Sequence, residues 1–198
     1  MSKYTNDREF TNYIHTNIAI PDIYEPLAWT EKKLDAEYAL NIDLHNGIDY
    51  IFQNKEGETK TVQERFRESK YKNYNDFTIR YRRDENTHSE RRISEYFKMK
   101  ADYFTYGITN GEKNNLASSQ SFLKYAIINL KKVYEKIDQN LILILDNKEN
   151  VCIIENEKII CPVKYNVDGS SSFFPIDISF LVKLWGKEMI VSQKGFME

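Results

Sequence analysis

Residues 47–67, GIDYIFQNKEGETKTVQERFR, constrain the fold more than any other stretch of the chain. The HNG that leads into them ends a helical pattern, IDYIF has strand composition, NKEGE is a polar reversal, and TKTVQERFR returns as a second strand. Because strand side chains alternate, Asp49 and Ile51 fall on one face, with Ile48, Tyr50 and Phe52 on the other. On the returning strand Val62, Glu64 and Phe66 share a face, and Gln63 and Arg65 share the opposite one. With Val62 and Phe66 packed inward, Gln63 and Arg65 line up beside Asp49. An acid, an amide carbonyl and a cation then meet in one patch.

The flanking sequence predicts helices alternating with strands. The N-terminal residues suggest a short amphipathic helix from about Asp7, followed by irregular chain punctuated by Pro21 and Pro26. TEKKLDAEYALNIDL reads as a helix N-capped by Thr30, with Leu34, Tyr38, Ala39 and Ile42 on one side. YNDFTIRYRR is a third strand, SERRISEYFKMKAD a helix capped by Ser89, and DYFTYGI a further strand. SSQSFLKYAIINLKKVYEKI gives the clearest helical pattern, with Phe122, Ala126, Leu130, Val133 and Ile137 as its core stripe. LILIL suits a strand buried on both faces, VCIIE and KIICPVKY form two strands joined by an Asn-Glu turn, and PIDISFLVKLWG is a closing helix. The pattern predicts an α/β (α+β) fold, a central mixed sheet flanked by helices. A chain of 198 residues suits one domain over 1–198, with a core at about 30–145 and C-terminal strands and a short helix over 146–198.

Composition narrows the function. Hydrophobic residues at 41% and aromatics at 14% are enough to offset the entropy of ordering a core. No apolar run reaches bilayer length and MSKYTNDREF contains no apolar leader core, so a cytoplasmic protein is expected, away from membranes. Cys152 and Cys161 read as two buried thiols, with no His beside them to complete a zinc site, and His15, His45 and His88 match no metal-binding spacing. Phosphate loops and dinucleotide fingerprints are absent from the sequence. Between positions 60 and 100, twelve Lys and Arg stand against seven Asp and Glu, whereas the whole chain has a net charge of −2. Seven of the eight arginines lie between 65 and 92, a concentration suited to phosphate, although a solvated charged face reads the same way.

The patch around Asp49 suits metal-assisted phosphodiester hydrolysis. Mg²⁺ takes one or two carboxylates and completes its shell with water and substrate oxygens. A neighbouring cation offsets charge that builds in the transition state. The stretch GIDYI, with Asp49, followed by a hairpin and VQERF, with Gln63 and Arg65, resembles the PD-(D/E)XK nuclease superfamily over roughly residues 35–107. That resemblance implies a restriction-endonuclease-like fold, a divalent metal, cleavage of DNA and action as a homodimer. It assigns Asp49, Gln63, Glu64 and Arg65 to catalysis and Asp49, Glu64 and Glu37 to metal, while the basic stretch itself offers Arg67, Arg80, Arg82, Lys98 and Lys100 to nucleic acid. The chain departs from the family pattern at two positions, with Gln63 in place of an acid and Arg65 in place of lysine. Gln offers a carbonyl but no charge, and Arg stays protonated and acts only electrostatically. Asp43 is close in sequence but reads equally as a surface acid at the helix end.

Two rival readings remain open at this level. One is a non-catalytic nucleic-acid- or protein-binding accessory protein on a degenerate nuclease fold. The other is an exposed ribbon whose Asp, Gln, Glu and Arg form cross-strand pairs without chemistry. On YNDFTIRYRR, Thr78, Arg80 and Arg82 share a face that could grip phosphates, with Tyr71 and Tyr74 available for base stacking.

Overall fold

The computed structural model describes residues 3–83, 94–146, 151–167 and 171–197. Helix α1 (Lys3–Ile14) runs directly into a π-helical stretch, His15–Tyr24. The buried positions Phe10, Ile14, His15, Ile18, Ala19, Ile23 and Tyr24 recur every four or five residues, wider than the roughly 3.6 of an α-helix. The wider turn carries the helix past Pro21, where the sequence suggests irregular chain, and the Glu25 amide reaches back to the Ile20 carbonyl.

Thr30 does not cap a helix. It forms β1 (Thr30–Glu31), and helix α2 (Ala36–Asn46) begins after Asp35, whose carboxylate accepts the Tyr38 amide. Of the residues that the sequence pattern places on one side, Tyr38 is exposed and Ile42 is buried. Gly47 ends the helix at φ 56°, donating its N–H to the Asp43 carbonyl.

The hairpin forms as the sequence predicts, from β2 (Tyr50–Gln53) and β3 (Thr59–Arg67), with Tyr50 opposite Val62. β4 (Asp76–Arg83) follows but does not join their sheet. Helix α3 (Glu95–Lys98) is a single turn, and the Ser89 cap lies outside the described residues. β5 (Tyr103–Thr109) lies parallel to β3.

The stretch with the clearest helical pattern divides into β6 (Phe122–Asn129) and helix α4 (Leu130–Asp138). β6 is enclosed between β5 and the last strand, so it is apolar on both faces and its composition mimics a buried helix. Asn129 marks the change, its side chain accepting the Lys132 amide.

β7 (Ile142–Leu145), β8 (Ile153–Glu155) and β9 (Lys158–Pro162) form a small sheet in the order β7-β9-β8. Asn156 and Glu157 turn the β8–β9 hairpin with φ of 49° and 61°. β7 is buried on both faces only at its start, because Leu145 is exposed. β10 (Lys164–Tyr165) and β11 (Ser171–Asp177) build a third sheet with β4. Helix α5 (Ile178–Trp185), capped by Asp177, precedes β12 (Ile190–Lys194), which returns to the edge of the main sheet.

The fold is therefore mixed α+β around a six-stranded mixed sheet in the order β1-β2-β3-β5-β6-β12. One face of that sheet presents Phe52, Val62, Phe66 and Ile127 to α1 and the π-helical stretch. The other presents Phe104, Tyr106, Ile108 and Ala126 to β4, β11, α4 and α5. Among the described residues, no helix is long and apolar enough to cross a membrane.

Candidate functional site

Asp49 sits where α2 gives way to the sheet. Gly47 permits the approach, because a Cβ there would stand 3.3 Å from the Met99 Cα. The Asp49 amide donates to the Val62 carbonyl, fixing the residue against β3. Its Oδ2 accepts from Gln63 Nε2 at 2.6 Å and from the Glu64 backbone N–H at 2.7 Å. Strand alternation thus brings Asp49 and Gln63 together on one face. The carboxylate is half-buried. Desolvation, with the negative charges of Asp43, Glu64 and Glu95 behind it, outweighs the Glu64 hydrogen bond and pushes its proton affinity up to about 8.

Arg65 shares this face but is engaged. It pairs with Glu95 Oε2 at 2.6 Å and donates to the Thr78 carbonyl at 2.7 Å. Burial would raise the Glu95 carboxyl, but Arg65 and Arg80 hold it below its ordinary value. Glu95 Oε1, also buried, has no hydrogen-bond partner among the described residues. Lys98 caps the far end of α2, its Nζ donating to the carbonyls of Asp43 and Leu44. Beside it the Lys100 amide bonds to Asn46, and the Lys100 side chain is exposed.

The remaining basic residues follow β4. Arg67 donates to Thr78 Oγ1 and lies over the Tyr71 ring at 5.3 Å. The Arg80 amide donates to Glu95 Oε2. Arg82 is exposed and lies over Tyr81 at 5.0 Å, with exposed Phe97 stacked on the same ring. Of the two tyrosines suggested for stacking, Tyr74 is exposed and Tyr71 is half-buried.

Glu64 points the other way. Its carboxylate accepts from Tyr24 Oη at 2.5 Å and meets His15 Nδ1 at 3.0 Å, beneath the N-terminal helical stretch. The juxtaposition with Asp49 suggested for its side chain does not form, since residues 63 and 64 necessarily face opposite sides of the strand. His15 stacks flat on Tyr50 at 3.5 Å, and its Nε2 reaches Glu31 at 3.4 Å. Burial alone would lower the imidazolium, but the charge of Glu64 and the hydrogen bonds that His15 donates to Glu31 and Glu64 raise it to about 9. Glu64 therefore joins both faces, its N–H on Asp49 and its carboxylate on His15.

Glu37 is exposed in the first turn of α2, roughly 14 Å along the axis from the end that meets Asp49. The acids that crowd Asp49 electrostatically are instead Asp43, Glu64 and Glu95. Asp43 is visible in sequence as part of D-x5-D across the helix end, whereas Glu95 and His15 arrive through long-range packing that no local pattern records. Among the described residues, no group of three or more His, Cys, Asp or Glu is arranged to hold a metal ion. A polar depression lined by Thr59, Lys60, Asp102, Tyr103, Asn129 and Lys131 lies near the hairpin end of β3. Its Lys131–Asp102 pair, at 2.5 Å, already neutralises itself. Comparison with protein-family models, curated proteins and solved structures finds no significant match.

Proposed function

We propose that the chain is a metal-dependent, nuclease-like protein that hydrolyses phosphodiester bonds in DNA, with a restriction-endonuclease-like arrangement of α2, β2, β3, α3 and β5. The observation that carries this reading is the Asp49 carboxylate, held against Gln63 and raised in proton affinity by burial and, after it, by neighbouring acids. Such a carboxyl keeps its proton at neutral pH because the protein leaves its negative charge undercompensated, so a bound cation would displace the proton and stabilise the ionised form.

The donor chemistry fits Mg²⁺. Asp49 supplies a charged oxygen, Asp43 lies within electrostatic reach, and Gln63 offers its amide oxygen once the side-chain amide is turned over. When bound, the cation would polarise a phosphate and make a water more acidic. The chain's own groups orient the reaction. The Glu64 N–H holds Asp49 in one rotamer, while Arg65, fixed by Glu95 and Thr78, places a permanent positive charge on the same face. Of the five cations assigned to nucleic acid, Arg82 and Lys100 are exposed and suited to backbone phosphates.

The decisive experiment is Mg²⁺-dependent cleavage of DNA by the native chain and by Asp49→Asn. Cleavage is expected from the native chain alone, and undiminished cleavage by the variant would sink the assignment. A second reading, a DNA-binding accessory protein with a degenerate site, is favoured by Arg65 being tied to Glu95 and by the neutral Gln63. It predicts salt-sensitive binding, unchanged by chelators, and no cleavage.

A further inference from the structure

Cys152 and Cys161 contribute nothing to the Asp49 site, yet their sulfurs lie 3.8 Å apart as free thiols. The β8–β9 hairpin explains why they meet. Ile153 pairs with Ile160, Ile154 with Ile159 and Glu155 with Lys158, so antiparallel register sets Cys152 opposite Cys161. Both turn residues, Asn156 and Glu157, have positive φ, the geometry of a two-residue hairpin whose closing pair, Glu155–Lys158, is hydrogen-bonded. Counting back, pairs alternate, and Cys152–Cys161 falls on a non-hydrogen-bonded pair, where opposed Cα atoms stand about 4.5 Å apart and side chains are closest. That separation lies inside the range a disulfide spans. The two thiols also differ in access, for Cys152 is partly exposed and Cys161 is fully enclosed.

We propose that Cys152 and Cys161 form a peroxide-responsive dithiol site, with Cys152 the attacking and Cys161 the resolving sulfur. The Cys152 thiolate attacks a hydroperoxide oxygen, the O–O bond breaks, and the alkoxide or hydroxide leaves as alcohol or water after taking a proton. The Cys161 sulfur then displaces hydroxide from the Cys152 sulfenic acid, forming the S–S bond and a water. Two thiols are oxidised by two electrons and one hydroperoxide is reduced, so atoms and charge balance. The hydrogen bond with Cys161 lowers the Cys152 thiol and raises that of Cys161, in keeping with these roles. The product staples the small β7-β9-β8 sheet at the mouth of its hairpin.

The test treats the reduced, full-length native chain with equimolar hydrogen peroxide, then acid-quenches, unfolds and titrates thiols. The expected result is a monomer that has lost two hydrogens in mass and both titratable thiols. Digestion should yield a peptide linked between 152 and 161, and dithiothreitol should reverse the change. In Cys152→Ser, at the more exposed position, Cys161 should persist as a thiol; in Cys161→Ser, Cys152 should accumulate as a dimedone-reactive sulfenic acid. Survival of both thiols in the native chain would overturn the proposal. So would Cys152 oxidised beside a free Cys161, or disulfides only between chains.

Discussion

Asp49 and His15 are two titratable groups held on opposite faces of one hairpin, and both make stability depend on pH in the same sense. Each binds its proton more tightly in the folded chain, Asp49 at about 8 and His15 at about 9. A raised folded value means stability fully present below the unfolded pKa and lost as pH rises through the folded one. Asp49 therefore costs stability progressively between about pH 4 and 8, and His15 withdraws its contribution between about pH 6.5 and 9. Denaturant titrations across pH 5–9 should show falling stability. Asp49→Asn should raise stability at pH 7 by on the order of 1–3 kcal/mol, discounted because the carboxylate keeps some contact with solvent. The same variant should lose any rise in melting temperature that Mg²⁺ gives the native chain. His15→Ala strands Glu64 beneath the N-terminal helical stretch and should cost about 2–4 kcal/mol, with a flattened decline above pH 6.5.

At the scale of elements, the end of α2 matters most because Gly47, Asp43, Lys98 and Asp49 converge there. Gly47→Ala forces a side chain into φ 56° and within 3.3 Å of the Met99 backbone. The expected loss is about 1–2 kcal/mol by thermal or chemical unfolding, together with displacement of Asp49. The β6–α4 boundary offers a second test. Asn129→Ala removes the acceptor for Lys132 and should cost about 1 kcal/mol by the same measurement, without affecting the Asp49 patch. The boundary also shows how local patterns mislead. Phe122, Ala126 and Leu130 are four apart, the spacing of a helix face. Yet Phe122 packs on the side of the N-terminal helical stretch and Ala126 on the other, the β5–β6 register shifting between Ile108 and Thr109. Only the flanking strands β5 and β12 decide for the strand.

For the whole molecule, a local excess of basic residues on a chain of net charge −2 should act through its exposed members. Arg82→Glu and Lys100→Glu should each weaken DNA binding and lower the slope of log affinity against log salt by about 1, measured by fluorescence anisotropy over a salt series. Unchanged affinity in both variants would count against DNA as the partner of these cations. Arg80 is a poorer probe, because its neighbour Glu95 also holds Arg65, so reversing its charge would disturb the fold.

By itself the sequence determined the hairpin, its register of alternating faces, the Gly47 break, the Asn-Glu turn and the presence of a mixed sheet with helices. All of these depend on neighbours within a few residues, where backbone geometry and side-chain alternation act directly. Tertiary structure decided where Glu64 goes, since the interior offered its carboxylate the Tyr24 hydroxyl and the His15 imidazole. It likewise sent β4 to a second sheet, closed the main sheet with β12, and paired Arg65 with Glu95. Those outcomes follow from burial and charge compensation between segments tens of residues apart, and such energies have no counterpart in local pattern.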